Sequence, residues 1–69
     1  MEVLVFRTDL SPERITNVQR HLDLHPLIRK WNVDMNDRDK VLRIESLGVC
    51  GSEVETIIKN AGYFCEEFN

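Results

Sequence analysis

The first apolar cluster of the chain is the run Val3-Leu4-Val5-Phe6, which favours a pleated, half-buried surface and predicts a strand over residues 2–7. The spacing then changes from two to three and four. Ile15, Val18 and Leu22 recur on one face of a helix. Ser11 is suited to cap that helix and Pro12 to open it, because a missing N–H costs nothing in the first turn. Glu13 places negative charge where the helix dipole favours it. Pro26 biases His25 away from helical geometry, so the helix should stop near Leu24.

Alternation returns in "IRKWNVDM", with Trp31, Val33 and Met35 set against Lys30, Asn32 and Asp34. "NDRD" is turn chemistry, and "KVLRIES" is a further strand with Leu42 and Ile44 on one face. "SLGVCG" reads as a loop. Ser52 and Glu55 have the spacing of a capping box opening a second helix, whose inner face is Val54, Ile57, Ile58 and Ala61. Gly62 is placed to end that helix in a left-handed conformation, and "YFCEEF" is a last strand. The order β-α-β-β-α-β with right-handed crossovers predicts an α+β, ferredoxin-like sandwich: a four-stranded antiparallel sheet with both helices on one face.

With 69 residues and no repeat or linker, residues 1–69 are expected to form a single domain. The net charge of −3 is unevenly spread. Residues 1–45 carry eight basic and eight acidic side chains, whereas residues 46–69 carry Lys59 against four glutamates. No basic stripe is present to neutralise phosphates, so nucleic acid and anionic membrane surfaces are not expected partners. RNA-recognition modules share this strand order, but they stack bases on aromatics of the central strands, and "KVLRIES" has none. The start "MEVLVFRTD" is not a signal peptide, and no segment is long and apolar enough to insert in a membrane. The expected location is therefore cytoplasmic. Cys50 and Cys65 are too few for a disulfide framework and are expected to be reduced there.

Three stretches, "ITNVQRHL" followed by "PLI", "WNVDMNDRDKVLRI" and "VETIIKNAGYFCEEF", resemble the heavy-metal-associated domain. This is the small fold of copper chaperones and of the N-terminal modules of metal-pumping ATPases. The likeness extends over nearly the whole chain. The family's metal site is an M-x-C-x-x-C motif in the first strand-to-helix turn, and the resemblance lays its three defining positions on Asp9, Ser11 and Arg14. None is a soft ligand of the kind copper(I) selects. Arg14 puts a permanent cation where the second thiolate would be. At ~5 Å and an effective dielectric near 20, one cation beside another costs on the order of 3 kcal/mol. The resemblance therefore implies a divergent member without the family's metal site. What remains at "TDLSPER" is a capped helix N-terminus with an arginine in its first turn. That suits an anion, yet Asp9 and Glu13 would repel one, and a plain helix start is the expected role.

The other soft or borderline ligands are Cys50, Cys65, His21 and His25. The predicted topology brings His25 and Cys50 to one pole of the domain, and a relocated zinc or copper site would use Cys50 with His25 or His21. Four ligands are the rule for structural zinc, and two or three are on offer. Cys65 should point inward. No cysteine sits beside a histidine in sequence, no glycine-rich phosphate loop is present, and the carboxylates lie in turns and helix starts, so no enzyme is expected and no cofactor. If Leu4 and Phe6 face the helices, Val3 and Val5 face outward with Phe64 and Phe68 of the neighbouring edge strand. This apolar strip suits a protein partner or a second copy of the chain. The expected function is a non-catalytic interaction or self-association module, with a metal-handling or metal-sensing role at the relocated cysteine and histidines as the alternative.

Overall fold

The computed structural model describes residues 1–68. Its elements follow the expected order: β1 (Glu2–Thr8), α1 (Pro12–Asp23), β2 (Ile28–Val33), β3 (Leu42–Ser46), α2 (Gly51–Asn60) and β4 (Cys65–Glu67). The strands form one antiparallel sheet in the order β2-β3-β1-β4. β1 and β2 are therefore parallel but separated by β3, and β3 and β4 are parallel but separated by β1. Each such pair needs a crossover helix, and α1 and α2 supply them on one face. The inner face and the helices enclose Phe6, Leu42 and Ile44 from the strands, Val18 and Leu22 from α1, and Val54 and Ile58 from α2. Leu10 and Val49, both in connecting segments, are also buried and close the two ends of this layer.

The capping of α1 is as the sequence predicts. Ser11 is extended and its hydroxyl accepts the Arg14 N–H at 3.3 Å, with Pro12 in the first turn. Leu24 ends the helix, and the Trp31 indole N–H donates to Asp23 at 2.8 Å, tying this end to β2. α2 ends as a Schellman motif. Gly62 has φ +93°, its N–H donates to Lys59 O, and the Tyr63 N–H reaches back to Ile58 O.

The start of α2 departs from expectation. The cap is Cys50, which makes no side-chain capping bond, and the helix begins at Gly51. Ser52 thus sits inside the first turn, too late to cap. The Glu55 carboxylate turns away from the helix start, accepting the Glu67 N–H at 3.2 Å and pairing with Lys59 at 3.2 Å. Two strands are shorter than the alternation suggests. β2 stops at Val33, before Met35, because Asp34 begins the hairpin turn by accepting the Asn36 N–H at 3.0 Å. β4 keeps three residues, Cys65–Glu67.

Candidate functional site

At the β1–α1 turn, the three positions singled out by the sequence do come together, but they bind one another. One Asp9 carboxylate oxygen accepts the Phe64 backbone N–H at 3.0 Å, and the other pairs with Arg14 at 2.9 Å. The Arg14 guanidinium also donates to the Asp9 carbonyl at 3.0 Å and lies 5.4 Å from the centre of the Tyr63 ring, a cation–π distance. Asn17 fixes that ring by donating to its hydroxyl at 2.7 Å. The cation in the first turn therefore has its counter-ion within the chain, and the helix N–H best placed for an anion is taken by Ser11. The segment Thr8–Arg14 holds no cysteine, methionine or histidine. Chemically, the turn is a self-satisfied clasp between β1, α1 and the start of β4.

The opposite pole carries His25 and Cys50. His25 lies where the chain leaves α1, and its Nδ1 accepts the Leu27 N–H at 3.1 Å. That fixes the proton on Nε2, which is turned to the Glu53 carboxylate of α2. Both ring nitrogens are thus engaged. Cys50 is exposed at the start of α2. His21 lies apart, on the flank of α1 beside Ile57, Asn60 and Ala61. Among the described residues, no three His, Cys, Asp or Glu side chains gather where they could hold a metal ion. Cys65 points inward and is fully buried. Burial, with the nearby Glu55 and Glu67 charges and against the opposing pull of Lys59, pushes its thiol up from 9.0 to about 12. This sulfur packs as an apolar group and is no nucleophile at neutral pH.

The third place is the outer face of the sheet, left open because both helices lie on the other side. Leu4 and Phe6 face the core, so Val3 and Val5 face outward. Register pairs Val3 with Glu45, Val5 with Arg43, and Arg7 with Glu66. The Phe68 N–H donates to Val5 O, which puts Phe68 beside Val5. Val3 is 56% exposed, Phe64 47% and Phe68 39%, while Val5 is half-buried. The strip is narrower than the sequence reading drew it. Arg7 and Glu66 continue the same alternation between Phe64 and Phe68, form an ion pair at 3.6 Å, and set the guanidinium 5.0 Å from the Phe68 ring centre. Sequence reasoning also missed Leu27, Leu47 and Met1, exposed at the end of the sheet nearest Val3. The Leu47 N–H donates to Leu27 O, and Met1 and Leu47 are the next residues beyond the terminal pair of Glu2 and Ser46. The apolar surface therefore turns the corner at Val3 and runs across the sheet end. The signal for it was the period of two continued past the strand ends.

This is the fold of the heavy-metal-associated domains, a ferredoxin-like sandwich with an open sheet face. Similar solved structures include the yeast copper transporter domain Ccc2a, in its apo and copper(I)-loaded states, with a TM-score of 0.83 and 11% identity over 100% of this chain and 97% of that one. The copper(I)-loaded first domain of the human copper chaperone for SOD1 gives 0.77 and 14% identity over 94% and 89% of the two chains. The N-terminal domain of ZntA in its apo form gives 0.70 and 15% over 97% and 92%. No family model matches the sequence, and no curated protein is significantly similar to it. No helix among the described residues is long and apolar enough to cross a membrane.

Proposed function

We propose that this chain is a non-catalytic protein-interaction module on a heavy-metal-associated fold, working through the open sheet face around Val3, Val5 and Phe68, with Phe64 at its margin. The observation that carries this reading is the exposure of Val3 and Phe68 beside Val5, on a face that no element among the described residues covers. Continuous exposed apolar surface is unfavourable in water, and such surface rimmed by charges is the usual mark of a protein contact. The turn that gives the family its metal site contributes differently here. Its Asp9–Arg14 clasp supports a rigid end to the sheet, and no metal ion enters the proposed function. Nor does the chain's chemistry favour catalysis, since Cys65 is sealed in the core and His25 is held at both nitrogens.

A photo-reactive residue placed in living cells at Val3 or Phe68, and for comparison at Arg14 or Gln19, tests this. Protein adducts should form from the sheet face and be scarce from the turn and from the exposed side of α1. Adducts predominantly from Arg14 or Gln19 would overturn the reading.

A further inference from the structure

The geometry points to a second copy of this chain as the occupant of the open face, docked sheet to sheet about a two-fold axis that runs across the strands. This rests on the open-face reading above and commits it to one partner. The face is close to electrical balance although the chain is not. Lys30, Arg43 and Arg7 stand against Glu45 and Glu66 on it, with Asp34 and Asp37 beside Arg43 at the hairpin end, while the whole chain has a net charge of −3. A nearly balanced surface with signs alternating along one strand is suited to its own copy, since an isologous contact sets residue i on j and j on i.

The arrangement of those charges selects the axis. Val3 lies level with Glu45 and Val5 level with Arg43. An axis along the strands would lay β1 of one copy on β3 of the other and bury the valines against charges. An axis across the strands lays β1 on β1 and β3 on β3. Val3 then meets the other copy's Val5, and Arg43 meets the other copy's Glu45, twice over. Within the chain Glu45 lies opposite Lys30 and Arg43 lines one groove with Asp34 and Asp37, but among the described residues neither Arg43 nor Glu45 has an ion-pair partner within 4 Å. Aligned packing of this kind is the ordinary way two twisted sheets meet, at ~30° and about 10 Å apart. The molecule measures 27 × 24 Å across its two larger dimensions. Those extents bound the sheet face at roughly 650 Å² per copy, so a pair covers at most roughly 1,300 Å², no more than the lower end of specific interfaces. The association is therefore expected to be reversible.

Charge reversal and its rescue test this on the full chain by sedimentation equilibrium. Both positions lie on the outer face, Arg43 exposed and Glu45 half-buried, so the substitutions leave the core on the other face intact. The wild-type chain should pass from monomer to dimer with rising concentration. Arg43→Glu alone and Glu45→Arg alone should each weaken the dimer at least ~10-fold, because each brings like charges together twice. An equimolar mixture of the two variants should recover a one-to-one dimer near the wild-type concentration, since both cross-contacts become attractive, and a misfolded variant could not give that rescue. A wild-type chain that stays monomeric at ~1 mM, reversals without effect, or a mixture that does not recover would each overturn the proposal. A monomeric chain that still gives sheet-face adducts in cells removes the second copy and leaves the interaction module standing. Adducts mainly from the turn or α1 remove both.

Discussion

Replacing Asp9 with alanine removes the clasp at the β1–α1 turn, and the structure sets the size of the effect. The Asp9–Arg14 pair is 2.9 Å long, but both side chains are 45% exposed. Solvent screens such a pair to within about 1 kcal/mol, and about 0.5 kcal/mol is a fair share here. The second loss is the acceptor for the Phe64 N–H, also near solvent, worth about 0.5–1.5 kcal/mol. The two together come to about 1–2 kcal/mol. For a domain of this size that lowers the melting temperature by roughly 5–15 °C. Asp9→Asn keeps an acceptor for Phe64 and loses only the charge, so it should cost about 0.5 kcal/mol, a difference that shrinks in 1 M salt. Paired with Arg14→Met in a double-mutant cycle, it should give a coupling no larger than about 1 kcal/mol. Chemical denaturation of the wild type and these four variants reads all of this. If Asp9→Asn costs as much as Asp9→Ala, the Phe64 bond does not anchor the turn and the clasp is misassigned.

The backbone of Gly62 has φ +93° with no atom within 4 Å of where a Cβ would stand, so Gly62→Ala pays conformational strain alone. About 1 kcal/mol, or a fall of roughly 4–8 °C in melting temperature, should follow, and an unchanged melting temperature would contradict the Schellman ending. The Cys65 thiol, at about 12 in the folded chain against 9.0 when free of it, binds its proton longer in the folded state than in the unfolded one. Its contribution to stability is therefore intact below pH 9 and lost as pH rises from 9 toward 12, by about 1.4 kcal/mol per pH unit, measured as the difference between wild type and Cys65→Ala. Alkylation of the native protein at pH 8 should label Cys50 and spare Cys65. Amide spectra of the reduced chain should not change at Thr8–Arg14 on addition of one equivalent of zinc or copper(I). Shifts centred on His25 and Cys50 would instead establish the relocated metal site.

The fold was legible because its local signals agree. The alternation of Leu4 and Phe6 against Val3 and Val5, the Ser11-Pro12 helix start and the Gly62 helix end each act over a few residues, and each is observed. What stayed hidden depends on where separate segments meet. Ser52 and Glu55 have the right spacing for a cap, but α2 starts earlier, at Gly51, and Glu55 is drawn to β4. Leu10 and Val49 sit in stretches that read as loops, yet they are buried because the chain closes over the ends of the core there. The Asp9–Arg14 pair joins residues on either side of a helix start, outside the spacings that bring charges together along a helix. At the outer face the period of two placed Val3, Val5, Phe64 and Phe68 on the exposed side. The same period carried through to Arg7 and Glu66 shows why the strip is broken, and carried past Glu45 and Val3 it reaches Leu47 and Met1.

The proposed working surface is the open sheet face and not the β1–α1 turn, and a dilution series followed by amide chemical shifts separates the two. From ~1 mM to ~10 µM, a range suited to a weak, reversible dimer, shifts should move at Val3, Val5, Arg43, Glu45 and Phe68 and stay fixed along α1. Shifts confined to Thr8–Arg14, or to the exposed sides of the helices, would contradict the assignment.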